Sequence, residues 1–153
     1  MKNVFIDTLN IFSTGFLGLL VGALLAEGFL FVPYWRSLPS DDFLSLHKEY
    51  GPRLYRFFAP LTIMGTLFPV IAAITTIVTD TQIRWSTVVA GILAGSMIGI
   101  YQIYFKDANA KFAIGKLTAD ELAAELKAWD LWHWVRVAIG IVALIASLLG
   151  LRN

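Results

Sequence analysis

The stretch "GFLGLLVGALLAEGFLFVPYWR", Gly15 to Arg36, decides how the chain is read. From Gly15 to Val32 it carries a single charged side chain, Glu27. A surface helix of a soluble protein repeats polar residues along one face, and this stretch does not. Extended back to Ile11, the apolar run is long enough for a bilayer core, which takes about 20 mainly apolar residues.

Three further runs have the same character. They lie at about Phe57 to Thr79, Trp85 to Phe105 and Leu131 to Leu151. In hydrocarbon every backbone N–H and C=O must be satisfied within the segment, so each is expected to be a helix. The fold class expected is all-α: a four-transmembrane-helix bundle, with residues 1–153 as one domain and no internal repeat. Composition agrees. The chain is 58% hydrophobic and 15% charged, against about a quarter charged for soluble domains. It has no cysteine, which excludes disulfides and thiolate metal sites. A formal net charge of +1 with no basic cluster speaks against a nucleic-acid partner. One lysine, Asp7 and the lack of an A-x-A site make the N-terminus a poor cleaved signal. The first run is therefore expected to stay as a helix.

Small residues set packing expectations. Gly91, Gly95 and Gly99 recur at helical spacing, as do Gly18, Gly22 and Ala26. Such faces let helices approach closely and could bring the first and third spans together, without marking any particular pair. Pro60 fits a first helical turn, and Pro69 is expected to kink the second span.

Basic residues give an orientation. Arg36, Lys48, Arg53 and Arg56 follow the first span. Lys106, Lys111, Lys116, Lys127 and Arg136 lie between the third span and the entry of the fourth. The other side has Lys2, Arg84 and Arg152. The positive-inside rule then puts both long connections in the cytoplasm and both termini outside, in a multi-pass protein of the cell membrane. Within the first connection, "SDDFLSLHKEY" opens on Ser40 as an N-cap. It places Phe43, Leu46, His47 and Tyr50 on one face. A short amphipathic interfacial helix is expected there, between helices 1 and 2. In the other connection Thr118 and Glu121 form a capping-box pattern. The helix starting there is expected to run unbroken into the fourth span and to project beyond the bilayer.

The polar residues carry the functional reading. Glu27 is a carboxylate at membrane depth, which is costly unless it serves a purpose or a partner. In "WDLWHWVR", Trp129 to Arg136, His133 follows Asp130 by three positions and precedes Arg136 by three. On a helix such residues are neighbours, so Asp130 is expected to orient the His133 ring. Leu122, Leu126, Trp129, His133 and Arg136 share one stripe. Trp134 points away from it and reads as a membrane-interface residue. Gln102 is expected inside the third span, bonded across helices. Glu27, His47, Gln102, Asn109, Asp130, His133 and Arg136 all fall at one end of the bundle. The opposite end offers little beyond Asp80, Thr81 and Arg84. A pocket at the polar end, walled by Trp35, Phe57, Phe58, Trp129 and Trp132, would suit a flat apolar substrate arriving from the bilayer.

"GLLVGALLAEGFLFVP", the Trp35–Arg36 pair, "YFKDANAKF" and "WHWVR" resemble the anthrone-oxygenase-like family of small four-helix membrane proteins. The resemblance implies roles for Trp132, His133, Asn109 and Arg136, and a reaction that oxidises an anthrone to an anthraquinone. On this reading His133, Asp130, Arg136 and Asn109 are catalytic, and Trp35, Gln102, Trp129 and Trp132 bind substrate. His133 would take an acidic proton while Arg136 or Asn109 stabilises the enolate. The cofactor is left open. It is none, or a non-haem metal held by Glu27, His47 and His133, with haem less favoured. The alternative is a non-catalytic lipid- or quinone-binding membrane protein or small partner subunit. The partners expected are the lipid bilayer and a hydrophobic small molecule, and a homo-oligomer is left open.

Overall fold

A computed structural model describes residues 4–79 and 83–152. Lys2, Asp80 and Thr81, which entered the charge and polarity readings, lie outside the described residues. Helix α1 spans Val4–Ala26 and passes through a π-helical turn, Glu27–Phe31, into the short α2, Val32–Ser37. Helix α3 spans Ser40–Thr79 and α4 spans Trp85–Ile100. A second π-helical turn, Tyr101–Phe105, leads from α4 into α5, Lys106–Ile114. Helix α6 spans Ala119–Gly150. The described residues hold four helical segments long and apolar enough to cross a membrane: Val4–Ser37, Ser40–Thr79, Trp85–Ile114 and Ala119–Gly150. Each presents large apolar side chains outward, among them Phe29, Ile63, Ile103 and Leu131. In water such surfaces would be anomalous; facing lipid they cost nothing.

The helices form a ring in which α1 packs on α3, α3 on α4, α4 on α6, and α6 back on α1. The first and third spans are therefore diagonal, not brought together as the glycine spacing would have allowed. Gly91 packs on α3 instead. A Cβ there would lie 2.4 Å from Ala73 Cβ and 2.8 Å from the Pro69 carbonyl oxygen. Gly22 has nothing within 4 Å of a built Cβ, so its face points outward. Small residues permit close approach but do not name the partner. The centre is filled by Leu17, Leu20, Leu24, Ala94, Met97, Val137 and Ala143, all buried.

The connection from α5 to α6 is settled by local chemistry. Gly115 closes α5 in the left-handed region, at φ 69°, where a side chain would be strained. Thr118 then starts α6 with a complete capping box. Glu121 N–H donates to the Thr118 hydroxyl, and the Glu121 carboxylate accepts from Thr118 N–H at 2.9 Å. From there α6 runs unbroken, as expected. The interfacial helix does not form a separate element. Ser40 to Tyr50 are the first turns of α3, which continues through Gly51 and Pro52 into the span although Pro52 has no N–H to give the ladder. Pro60 consequently sits deep inside α3 with Pro52 and Pro69, not in a first turn.

Candidate functional site

The α6 stripe faces inward as its spacing demands. Leu122, Leu126, Trp129 and His133 are buried. His133 is 0% exposed and Glu27 5%. The two meet inside the bundle, with His133 Nδ1 3.5 Å from Glu27 Oε2. Arg136 lies between them. Its Nη2 is 3.3 Å from Glu27 Oε2 and 3.1 Å from His133 Nδ1. Its guanidinium also stands over the Phe105 ring, 4.3 Å from the centroid. Each π-helical turn thus supplies one of its neighbours: Glu27 opens the first turn and Phe105 closes the second. Extra residues of this kind inside α-helices recur at functional sites.

The histidine's protonation follows from its partners. Nε2 is 2.9 Å from the Leu24 carbonyl oxygen, which only accepts. Nδ1 faces a guanidinium, which only donates. These two partners suit the tautomer with its proton on Nε2, and both nitrogens are committed. The Trp129 ring stacks on it at 5.1 Å and 9°. The Trp129 indole N–H in turn donates to Asn109 Oδ1 at 3.1 Å. Gly28 makes room for the ring, since a Cβ there would lie 3.0 Å from His133 Nε2.

Several sequence expectations change here. Asp130 does not orient His133; it pairs with Arg36, Nη1 to Oδ2 at 2.6 Å. A helix wheel shows only local neighbours, and the stronger partner comes from α2. Asn109 reaches His133 only through Trp129. Gln102 is exposed. It falls in the second π-helical turn, where the face extrapolated from Gly91 no longer holds. Trp134 is half-buried, edge-on to His133 and to Phe29 at 5.0 Å from the latter. Trp132 stacks on Tyr104 at 5.7 Å, Phe57 is exposed, and Phe58 packs beside Leu20 and Leu24. His47 does not join Glu27 and His133. Its ring packs on Phe43 and Phe112. Among the described residues no three His, Cys, Asp or Glu side chains are grouped to hold a metal.

Two grooves open at this end. One, of about 270 Å³, is lined by Phe31, Tyr34, Trp35, Phe43, Leu46, His47, Tyr50 and Leu54. The His47 imidazole forms part of this wall. Its Nδ1 is shut off without a hydrogen-bond partner, so only Nε2 can meet a ligand. The other groove, of about 510 Å³, is lined by Gly28, Phe29, Val32, Pro33, Arg36, Ser37, Asp130 and Trp134.

The opposite end is also polar, which the sequence reading missed. Asn10, Ser13, Thr76, Thr87 and Ser147 are buried there. The Thr14 and Ser147 hydroxyls lie 2.8 Å apart, and Arg84 pairs with Asp7 at 3.3 Å. Small hydroxyl residues barely lower hydropathy, so only the inward faces of four separate helices would have shown the cluster. Compared with known proteins, the chain matches no family model, no curated protein and no solved structure, and the likeness to the anthrone-oxygenase-like family rests on its sequence motifs.

Proposed function

We propose that the chain is a multi-pass membrane protein that takes a flat, apolar aromatic compound from the bilayer into the groove between α2 and the start of α3. The observation that carries this reading is the groove wall: five aromatic rings, Phe31, Tyr34, Trp35, Phe43 and Tyr50, around one imidazole, His47. Apolar walls with a few placed polar groups are the pattern of small-molecule sites. At about 270 Å³ the groove falls just under the usual range of roughly 300–1,000 Å³. That size favours a compact ring system over a long chain. The basic connections support a cytoplasmic position for this end.

Binding is favoured over catalysis at His133, because both its nitrogens are engaged and the ring is closed off. The oxygenase reading keeps one support, a nitrogen-bearing side chain on the groove wall in His47.

The test is fluorescence of the purified protein in detergent, titrated with a tricyclic anthrone and with its quinone. Saturable quenching is expected, and Trp35→Leu should abolish most of it while His133→Ala leaves the groove signal in any protein that still folds. Quenching that rises linearly and equally in both variants would reduce the signal to partitioning into micelles and end the proposal. Oxygen uptake with the anthrone, lost in His47→Leu, would add the oxidation step. A reporter fused at the C-terminus should read as extracytoplasmic.

A further inference from the structure

The second groove has a chemistry of its own. One flank carries charges of both signs side by side, Arg36 and Asp130. The Arg36 side chain is 48% exposed and the Asp130 side chain 19%. The bond between them engages a single guanidinium nitrogen and a single carboxylate oxygen. The other N–H groups and the other oxygen remain for a ligand. The far flank is apolar, formed by Phe29, Val32, Pro33 and Trp134.

The backbone adds an acceptor. At the π-helical turn Val32 N–H donates to the Glu27 carbonyl. The next residue, Pro33, has no N–H. The Gly28 carbonyl is thereby left without a donor along the helix, and Gly28 lines the same groove. A carbonyl in that position has to find a partner elsewhere.

We propose that this groove binds a zwitterionic phospholipid headgroup bearing a primary ammonium, of the phosphatidylethanolamine type. The phosphate lies on Arg36, where a guanidinium offers paired donors. The ammonium donates to Asp130 and to the Gly28 carbonyl. The upper acyl chain follows Phe29 and Trp134 outward. An anionic lipid would leave Asp130 facing a like charge. A choline headgroup has no N–H to give to either acceptor. The proposal rests on the membrane placement above but not on the aromatic groove, whose readout is Trp35 and His47.

The test is native mass spectrometry of the full chain in detergent. Phosphatidylethanolamine, phosphatidylcholine and phosphatidylglycerol with identical acyl chains are offered, and inorganic phosphate serves as competitor. Phosphatidylethanolamine should be retained about five-fold over the other two, the scale of one partly exposed charged contact. Arg36→Gln should weaken both phosphatidylethanolamine and phosphatidylglycerol. Asp130→Asn should erase the preference by weakening phosphatidylethanolamine alone. Ser37→Trp, which fills the groove from its rim without altering either charge, should expel the lipid from a protein whose melting is unchanged. Equal retention of all three lipids would overturn the proposal, as would a preference that survives these substitutions. Displacement of the lipid by equimolar inorganic phosphate would assign the site to free phosphate and overturn it too.

Discussion

The two ends of the bundle bury polar groups in opposite ways. At the Glu27 end a few strong groups are interlocked: a carboxylate, a guanidinium, an imidazole and a carbonyl, each within 3.5 Å of the next, with Arg136 Nε left without a partner of its own. At the Asn10 end the fully buried groups are neutral and loosely matched, and the Arg84–Asp7 ion pair lies nearer the surface. Asn10 Nδ2, Ser86 Oγ and Thr87 Oγ1 are buried without a hydrogen-bond partner. Charge demands a built environment, because an uncompensated buried ion costs several kcal/mol. Hydroxyls and amides tolerate a poorer one. The charged end therefore specifies the helix arrangement, and the neutral end accommodates it.

The largest test of this contrast is Arg136→Ala. It strands Glu27 and should cost about 3–5 kcal/mol, read as a drop in melting temperature in detergent. The paired change Glu27→Leu with Arg136→Met should recover most of that loss, since apolar replacement of a buried pair is often neutral. A double variant as unstable as the single one would mean that the ion pair is not what matters. Gly28→Val comes next, at about 1–3 kcal/mol for overpacking, because the added atoms meet the His133 and Trp134 rings. At the other end Ser147→Ala removes the hydroxyl shared with Ser13 and Thr14. It should cost only about 0.6 kcal/mol, the average for hydrogen bonds between membrane helices. Smallest of all is Asn10→Leu, which should leave stability unchanged or raise it, since the amide nitrogen has no partner to lose. A loss comparable to that of Arg136→Ala would erase the distinction between the ends.

Much of the architecture could be read before any coordinates. The apolar runs, the Thr118 capping box, the inward stripe of α6 and the inward Glu27 all depend on local spacing, which a sequence displays. The cluster was half legible. His133 and Arg136 are neighbours on one helix, but Glu27 joins them from the first π-helical turn, 109 positions from Arg136. Asp130 was misassigned for the same reason, since Arg36 is 94 positions away. Gln102 was misplaced because a π-helical turn changes the count of residues per turn. Nothing in its composition announces that turn, whereas Pro33 does flag the first one. The neutral end stayed hidden because serine and threonine are at home in apolar helices.

Helix α6 is one unbroken length from Ala119 to Gly150, and it serves both ends at once. His133 and Arg136 must point at α1 at one level, and Ser147 must point at α1 at another. The two levels are therefore locked in phase, like teeth on a single shaft. One residue inserted between Val137 and Ala146 would turn the remainder by about 100°. The chain would have to give up one end to keep the other. By the energies above it would keep Glu27 and Arg136 together and let Ser147 swing into the lipid.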